Sequence, residues 1–229
     1  MTIHSKDVVN ANVGCSVNPA APVVSSFPTA YRNLGKRLGD VLFVLLATPI
    51  VIPLTLMFAA MLICQGITPF YRQPRVGRDG KVFYLLKLRT MVHDAEAVLE
   101  RYLSNHPEAR EEWEHNQKLR HDPRIIKGGQ FLRKSSMDEL PQFWNVLTGD
   151  MSLIGPRPMM VSQQRLYPSN TYYRMRPGVS GMWQVSKRND STFAERAMHD
   201  NEYWRSMSFT TDVIILVRTI SVVLRGTGC

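Results

Sequence analysis

The sequence predicts a mostly helical α/β protein in which a small domain with short strands is anchored by an N-terminal re-entrant membrane helix and interfacial amphipathic helices. Three features predict this class: an uncharged apolar run at 41–64, charged segments of helical periodicity at 94–120, and a short apolar strand at 82–86. The expected organisation is a disordered tail at 1–30, the re-entrant anchor at 31–70 and the surface domain at 71–229.

The apolar run, Val41 to Cys64, contains 24 residues without a charge, which is long enough for a membrane span. Pro49 and Pro53 lie near its middle, and Arg37 to Pro49 makes only roughly 18 Å of helix against a hydrocarbon core of ~30 Å. A single span would carry its basic flank on the cytoplasmic side only, but this run has two basic flanks. They are Arg32, Lys36 and Arg37 before it and Arg72, Arg75, Arg78 and Lys81 after it.

These observations predict a helix that enters the membrane, breaks and returns, with both ends in the cytoplasm. A straight, kinked span is the alternative. Farther along the chain, Pro107 is expected to divide the segment at 94–120 into two helices, and a later helix is expected at 193–204. The apolar segment 214–224 is expected to lie against the membrane surface.

The charge balance limits the classes of partner that the protein can bind. The chain has 28 basic and 19 acidic residues and a formal net charge of +9, which allows nucleic acid, anionic lipid or phosphorylated substrates. No helix-turn-helix, zinc or single-strand-binding signature supports nucleic acid. The three cysteines show neither disulfide nor zinc-ligand spacing. A membrane-tethered protein that binds nucleic acid or another anionic partner without catalysis is kept as the alternative function.

The most informative stretch is 131–158. Ser136 stands three residues before Glu139, the spacing of a capping box, so we expect a helix that runs to Thr148 and ends at Gly149. Pro141 fits poorly inside the first turn, so Leu140 is an alternative cap.

In either case Asp138 and Glu139 lie at the positive end of the helix, where backbone N–H groups stabilise a carboxylate and attract phosphate. Arg133, Lys134 and Arg157 bracket the two acids in sequence. Carboxylates placed among fixed arginines suggest phosphoryl chemistry, whereas an isolated Ser-x-x-Glu would be only a helix cap.

Two sequence blocks carry a resemblance to a known family. The first, Lys-Ser-Ser-Met-Asp-Glu-Leu-Pro-Gln at 134–142, continues as Asn-Val-Leu-Thr-Gly-Asp-Met-Ser-Leu-Ile-Gly-Pro-Arg-Pro at 145–158, and the second is Arg-Pro-Gly-Val-Ser-Gly-Met-Trp-Gln-Val at 176–185. Together they resemble the catalytic core of the bacterial sugar transferases, the monotopic phosphoglycosyl transferases. The resemblance extends from about Lys36 to Gly228 and includes a break of the anchor at Thr48-Pro49.

The resemblance implies a residue for each role. Asp138 would be the nucleophile and a ligand of Mg²⁺, and Glu139 would assist it. The expected substrate-binding residues are Lys87, Arg89, Arg133, Arg157, Arg176, Arg188 and Asp200. Without the family motifs, Lys87 and Arg89 would be read as a solvated basic edge strand. Many family members have glycine where Lys187 stands, so the conformation of that loop is not fixed by the comparison.

The same resemblance implies a function. The protein would transfer a hexose-1-phosphate, galactose or glucose, from a UDP-sugar to undecaprenyl phosphate through a phosphosugar-aspartate intermediate, and so initiate exopolysaccharide repeat assembly. It would sit in lipids of the bacterial inner membrane with its catalytic domain on the cytoplasmic face. The choice of sugar stays open because epimers differ by one hydroxyl, and a homodimer also stays open.

Overall fold

A computed structural model describes residues 30–116, 119, 121–186 and 193–224. The expected tail at 1–30, apart from residue 30, and the expected phosphate-binding residue Arg188 lie outside the described residues. The helices are α1 (Lys36–Cys64), α2 (Ala95–Asn105), α3 (Pro107–Asn116), α4 (Gly129–Lys134), α5 (Gln142–Thr148), α6 (Met182–Val185), α7 (Phe193–Ser206) and α8 (Phe209–Leu224). The strands are β1 (Phe70–Val76), β2 (Val82–Leu88), β3 (Ser152–Ile154), β4 (Met159–Met160) and β5 (Gly178–Ser180).

The strands form two small sheets. In the first, β1 lies between β2 and β4 and is antiparallel to both, with Phe70 opposite Leu88 and Arg75 opposite Met160. In the second, β3 and β5 are parallel. The mostly helical α/β class with short strands is confirmed, and Pro107 begins the second helix of the charged segment, so α2 and α3 are the predicted pair.

Helix α1 differs from the expected broken helix because it continues through both Pro49 and Pro53. The carbonyl that Pro49 leaves without a helix partner is that of Leu45, and beside it the Thr48 hydroxyl donates to the Val44 carbonyl at 2.8 Å. At 29 residues the helix is about 43 Å long. Among the described residues, one helix is long and apolar enough to cross a membrane, and it covers Tyr31–Cys64 when the preceding turn is included.

The N-terminal end of α1 is bound to the rest of the protein by charged side chains. Arg37 donates to the carbonyls of Val146 and Leu147 at the end of α5. The buried Asp40 carboxylate accepts hydrogen bonds from the Ser152 hydroxyl at 2.7 Å and the Leu153 N–H at 3.1 Å, both in β3. This end of the helix is therefore fixed to α5 and β3.

The C-terminal end of α1 packs onto the same domain. Ala59 and Leu62 are buried in one hydrophobic cluster with Leu88 of β2 and Ile126. Between the two attached ends, the apolar side chains are exposed, with Leu46 at 71% and Ile50 at 67%. The helix thus contacts one domain at both ends and exposes an apolar middle.

Helix α8 is attached to the first turns of the anchor through one carboxylate. Asp212 accepts hydrogen bonds from Tyr31 and Lys36, both at 2.7 Å, and from Tyr203 of α7 at 2.6 Å. The other face of α8 exposes a row of apolar side chains: Phe209, Val213, Ile214, Val217 and Ile220. The helix is therefore amphipathic, and its contact with the membrane surface stays a prediction.

The predicted capping box is wrong. Ser136 adopts a left-handed conformation with φ of 57° and makes no capping hydrogen bond with its side chain. Met137–Glu139 form a separate 3-10 turn, and α5 begins only after Pro141. The predicted end of the helix is right, because Gly149 is left-handed with φ of 89° and its N–H donates to the Val146 carbonyl.

Candidate functional site

An open cleft of about 1350 Å³ lies between the end of β2, the start of α2, α4 and the 3-10 turn of Met137–Glu139. Six of the nine residues expected from the sequence line it: Lys87, Arg89, Arg133, Asp138, Glu139 and Arg157. The structure therefore brings together, from four separate segments, the acids and most of the cations that the sequence suggested.

Asp138 is the buried acid of the cleft. Its exposed fraction is 8%, and burial raises the pKa of its carboxyl to about 6. The positive charges of Lys87 and Arg133 act in the opposite direction, and the neighbouring Glu139 raises the pKa further. At neutral pH this carboxylate is ionised but poorly solvated, which is the state that a nucleophile requires.

Lys87 connects the two acids. Its Nζ donates to Glu139 Oε1 at 2.8 Å and lies 3.9 Å from Asp138 Oδ2. Glu139 is thus the direct partner of the lysine, whereas Asp138 forms the longer ion pair with it. The two adjacent acids have different environments, as their expected roles require.

Two arginines of the cleft, Arg89 and Arg157, contact neutral groups. Arg89 donates from Nε to the Thr68 carbonyl at 3.1 Å and lies 5.5 Å from the ring centre of Tyr71. Arg157 lies 5.8 Å from the ring centre of Trp183. In the described part of the chain neither arginine forms a salt bridge, so their charges remain available to an anion in the cleft.

The position of Arg157 depends on a close backbone crossing. A Cβ on Gly155 would lie 2.4 Å from the Arg176 carbonyl oxygen, and one on Gly178 would lie 2.1 Å from the Gly155 nitrogen. Only glycine fits at this crossing, where the Gly178 N–H also donates to the Pro156 carbonyl at 2.8 Å. The two sequence blocks that carry the family resemblance therefore meet here, and together they place Arg157 in the cleft.

Two expected site residues lie elsewhere. Arg176 does not line the cleft, and its Nε donates to the Gly149 carbonyl at 2.8 Å, where it neutralises the C-terminal end of α5. Asp200 is buried with an exposed fraction of 3% and accepts a hydrogen bond from the Tyr167 hydroxyl. Burial raises the pKa of Asp200 to about 6, and this acid does not line the cleft either.

Asn145 is a residue of this region that the sequence analysis did not select. The buried side chain accepts from the Leu86 N–H and donates to the Tyr84 carbonyl, both at 2.9 Å. These two bonds provide partners for backbone groups at the outer edge of β2. They also join the strand that contains Lys87 to α5, the helix that follows the two acids. An amide between Trp144 and Val146 in an otherwise apolar stretch was the available signal.

The cleft offers the expected Mg²⁺ two neighbouring carboxylates. Among the described residues, no group of three His, Cys, Asp or Glu side chains is arranged to hold a metal ion. Mg²⁺ is commonly held by one or two carboxylates with substrate phosphates and water completing its shell. Asp138, with Glu139 beside it, supplies that smaller donor set.

Comparisons with known proteins identify the family of the chain. The family model described as bacterial sugar transferase matches residues 31–226. The chain is 42% identical over 195 residues to a UDP-galactose-lipid carrier transferase of Erwinia amylovora and 43% identical over 195 residues to an undecaprenyl-phosphate galactose phosphotransferase of Salmonella typhimurium. It is 39% identical over 199 residues to the exopolysaccharide production protein ExoY of Sinorhizobium fredii.

The extent of these matches differs among the relatives. Each covers 84% to 86% of this chain, but only 41% of the length of the Erwinia and Salmonella proteins against 88% of the Sinorhizobium protein. The matched region contains the acidic turn, the glycine crossing and the apolar helix together. The chain therefore belongs to the bacterial sugar transferase family.

Proposed function

We propose that this protein is a phosphotransferase that moves a hexose-1-phosphate, galactose or glucose, from a UDP-sugar to undecaprenyl phosphate and so begins an exopolysaccharide repeat. The observation that carries the proposal is the buried Asp138 carboxylate in a cleft that Lys87, Arg133 and Arg157 also line. The names of the Erwinia, Salmonella and Sinorhizobium relatives support the donor, the acceptor and the pathway class.

The chemistry follows from Asp138 as nucleophile. A carboxylate oxygen attacks the phosphorus that bears the sugar, and the bond from that phosphorus to the UMP oxygen breaks, so UMP leaves with the electron pair. An oxygen of undecaprenyl phosphate then attacks the same phosphorus and the bond to Asp138 breaks, which regenerates the carboxylate. No proton has to be gained or lost in either step.

Other residues of the chain stabilise charge during these steps. Lys87 is positioned by Glu139 at 2.8 Å, so its ammonium group is held beside the reacting carboxylate. Arg133 and Arg157 provide planar guanidinium groups that suit phosphate oxygens. Bound Mg²⁺, with Asp138 among its ligands, would neutralise diphosphate charge. Convergence of these cations on one acid favours a compact phosphate site over an extended surface for nucleic acid.

The anchor is proposed to be re-entrant. Both ends of α1 contact the same domain, through Arg37 and Asp40 at one end and Ala59 and Leu62 at the other. Because one domain contacts both ends and cannot lie on both faces of a bilayer, we infer that the two ends of α1 are on the same side of the membrane. We therefore assign 31–70 as the anchor and 71–229 as a catalytic domain on the cytoplasmic face of the inner membrane.

This topology predicts equal labelling on the two sides of the anchor. Single cysteines in place of Arg32 and Arg78, in a cysteine-free background, should react with a membrane-impermeant maleimide only after the inner membrane is opened. Both should then react to a similar extent. A cysteine at either position that is labelled in intact spheroplasts would mean that α1 crosses the membrane.

The transfer reaction predicts release of UMP from one UDP-hexose in particular. Purified protein with Mg²⁺ and undecaprenyl phosphate should be supplied separately with UDP-galactose, UDP-glucose and their N-acetyl counterparts, and UMP should be quantified. We expect turnover with UDP-galactose or UDP-glucose at least about tenfold above the others, since a site that hydrogen-bonds a substrate hydroxyl discriminates strongly. Absence of UMP from every donor would reject the proposed function.

A further inference from the structure

A second group of cations lies beside Lys87 and Glu139, with which it lines a small chamber. Arg75, in the central strand β1, donates from Nη1 to the Pro158 carbonyl at 3.2 Å and from Nη2 to the Gln73 side-chain oxygen at 2.6 Å. Both of these acceptors are neutral. The guanidinium is therefore fixed in orientation by the protein while its charge is not compensated by either partner.

Arg75 is also close to other positive charges. Burial lowers the pKa of Arg75, and the charges of Arg157 and Arg196 lower it further. Within the described residues, neither Arg75 nor Arg157 has a carboxylate at salt-bridge distance. A partly buried guanidinium beside a like charge is costly unless an anion accompanies it, so this arrangement favours an oxyanion between the two arginines.

The space around these groups has the size and polarity for one oxygen atom. A small chamber of about 20 Å³ adjoins the cleft and is lined by Arg75, Lys87, Glu139, Arg157 and Gln184. In the part of the chain that the structure describes, the Nε donor of Arg75 is buried without a hydrogen-bond partner. Arg75 and Arg157 line both the chamber and the cleft, whereas Asp138 lines only the cleft.

We propose that Arg75 and Arg157 form an oxyanion subsite for the phosphate that leaves with the nucleotide. This inference rests on the proposed function. In an in-line displacement the leaving oxygen departs on the side opposite the nucleophile, so its phosphate must bind near Asp138 but not on it. The arginine pair has that relation to Asp138, and two guanidinium forks can hold the oxygens of one phosphate bidentately.

The assignment gives Arg75 a role different from the one that the sequence suggested. Beside the apolar run, Arg75 is one of several basic residues of a membrane flank, and nothing in that pattern separates it from Arg72. In the structure Arg72 is exposed and does not line the cleft, whereas Arg75 is partly buried and lines it. Arg72 thus provides a matched control on the same strand with the same change of charge.

The test compares the binding of UMP with that of uridine, which lacks the phosphate. Isothermal titration of the full-length protein in nanodiscs, in the presence of Mg²⁺, should give UMP affinities for wild type, Arg75→Gln, Arg75→Lys and Arg72→Gln. Loss of hydrogen bonds to a charged group should weaken UMP binding about 10- to 100-fold in Arg75→Gln. Arg75→Lys should fall between this variant and wild type, and Arg72→Gln should stay within about twofold of wild type.

Uridine affinity should be the same in all four proteins within about twofold, because the subsite contacts only the phosphate. An Arg75→Gln protein that binds UMP as wild type does, or one that loses uridine and UMP equally, would overturn the inference while leaving UMP release by wild type intact. If Arg75→Gln does not fold, the same comparison with Arg75→Lys decides. Failure of wild type to release UMP from any donor would instead reject the function itself.

Discussion

Replacement of Asp138 by asparagine should abolish transfer while making the protein more stable at neutral pH. The amide keeps the shape of the side chain but lacks the nucleophilic oxygen, so turnover should fall by about 10³-fold or more. No hexose-phosphate should become attached to the protein. Mass spectrometry of enzyme mixed with UDP-sugar and Mg²⁺, without undecaprenyl phosphate, should detect that adduct on the Asp138 peptide of wild type alone.

The expected gain in stability follows from the sign of the pKa shift. The pKa of Asp138 in the folded protein, about 6, lies above its ordinary value of 3.8. Folding therefore favours the protonated acid. The contribution of this group to the free energy of unfolding is complete below the unfolded pKa and is lost as the pH rises through about 6. At pH 8 the buried charge costs on the order of 3 kcal/mol, which asparagine removes. A higher Tm at pH 8 would show that the inactive variant is folded.

Glu139→Gln is the matched control for this prediction. It also replaces one acid of the pair by its amide, but it removes the partner of Lys87 and leaves the nucleophile in place. We expect reduced turnover with the adduct still formed. Full turnover by Asp138→Asn, or an adduct that maps to Glu139, would contradict the assignment of the two acids.

The sequence predicted those site residues that stand in short motifs. Asp138 and Glu139 are adjacent in sequence, and Arg157 lies in a Gly-Pro-Arg-Pro turn whose backbone is rigid, so local chemistry and family resemblance suffice to select them. All three line the same cleft. The position of these three residues relative to Lys87 depends on β2. The sequence also predicted this strand, from its short apolar pattern at 82–86.

The remaining differences arise from tertiary contacts that no local pattern encodes. Arg176, like Arg157, is followed by a proline and has a glycine two residues away, yet its side chain bonds the end of α5 and does not line the cleft. Arg75 reads as a membrane flank because its partners, the Pro158 carbonyl and Arg157, lie about 80 residues away in the chain. The capping box failed because left-handed Ser136 places the acids in a separate turn.

Replacement of Lys87 by methionine should lower turnover and move the acidic limb of the pH profile to higher pH. Asp138 must be ionised to attack, so wild-type activity should fall as the pH drops through about 6. The positive charge of Lys87 lowers the pKa of Asp138 from a distance of 3.9 Å. Without the lysine charge, the midpoint of the acidic limb should move up by about one pH unit. Turnover at pH 8 should fall about 100-fold, because the diphosphate also loses a cation that stabilises it.

The shift of the limb distinguishes a positioned cation from a structural one. Lys81→Met serves as the control, because Lys81 is an exposed residue immediately before the same strand and does not line the cleft. The pH profile of this variant should match that of wild type. Turnover by Lys87→Met that is low at every pH with an unmoved limb would mean that Lys87 binds substrate without acting on Asp138. A limb that moves to higher pH would show instead that the lysine keeps the buried carboxylate ionised at the pH where it reacts.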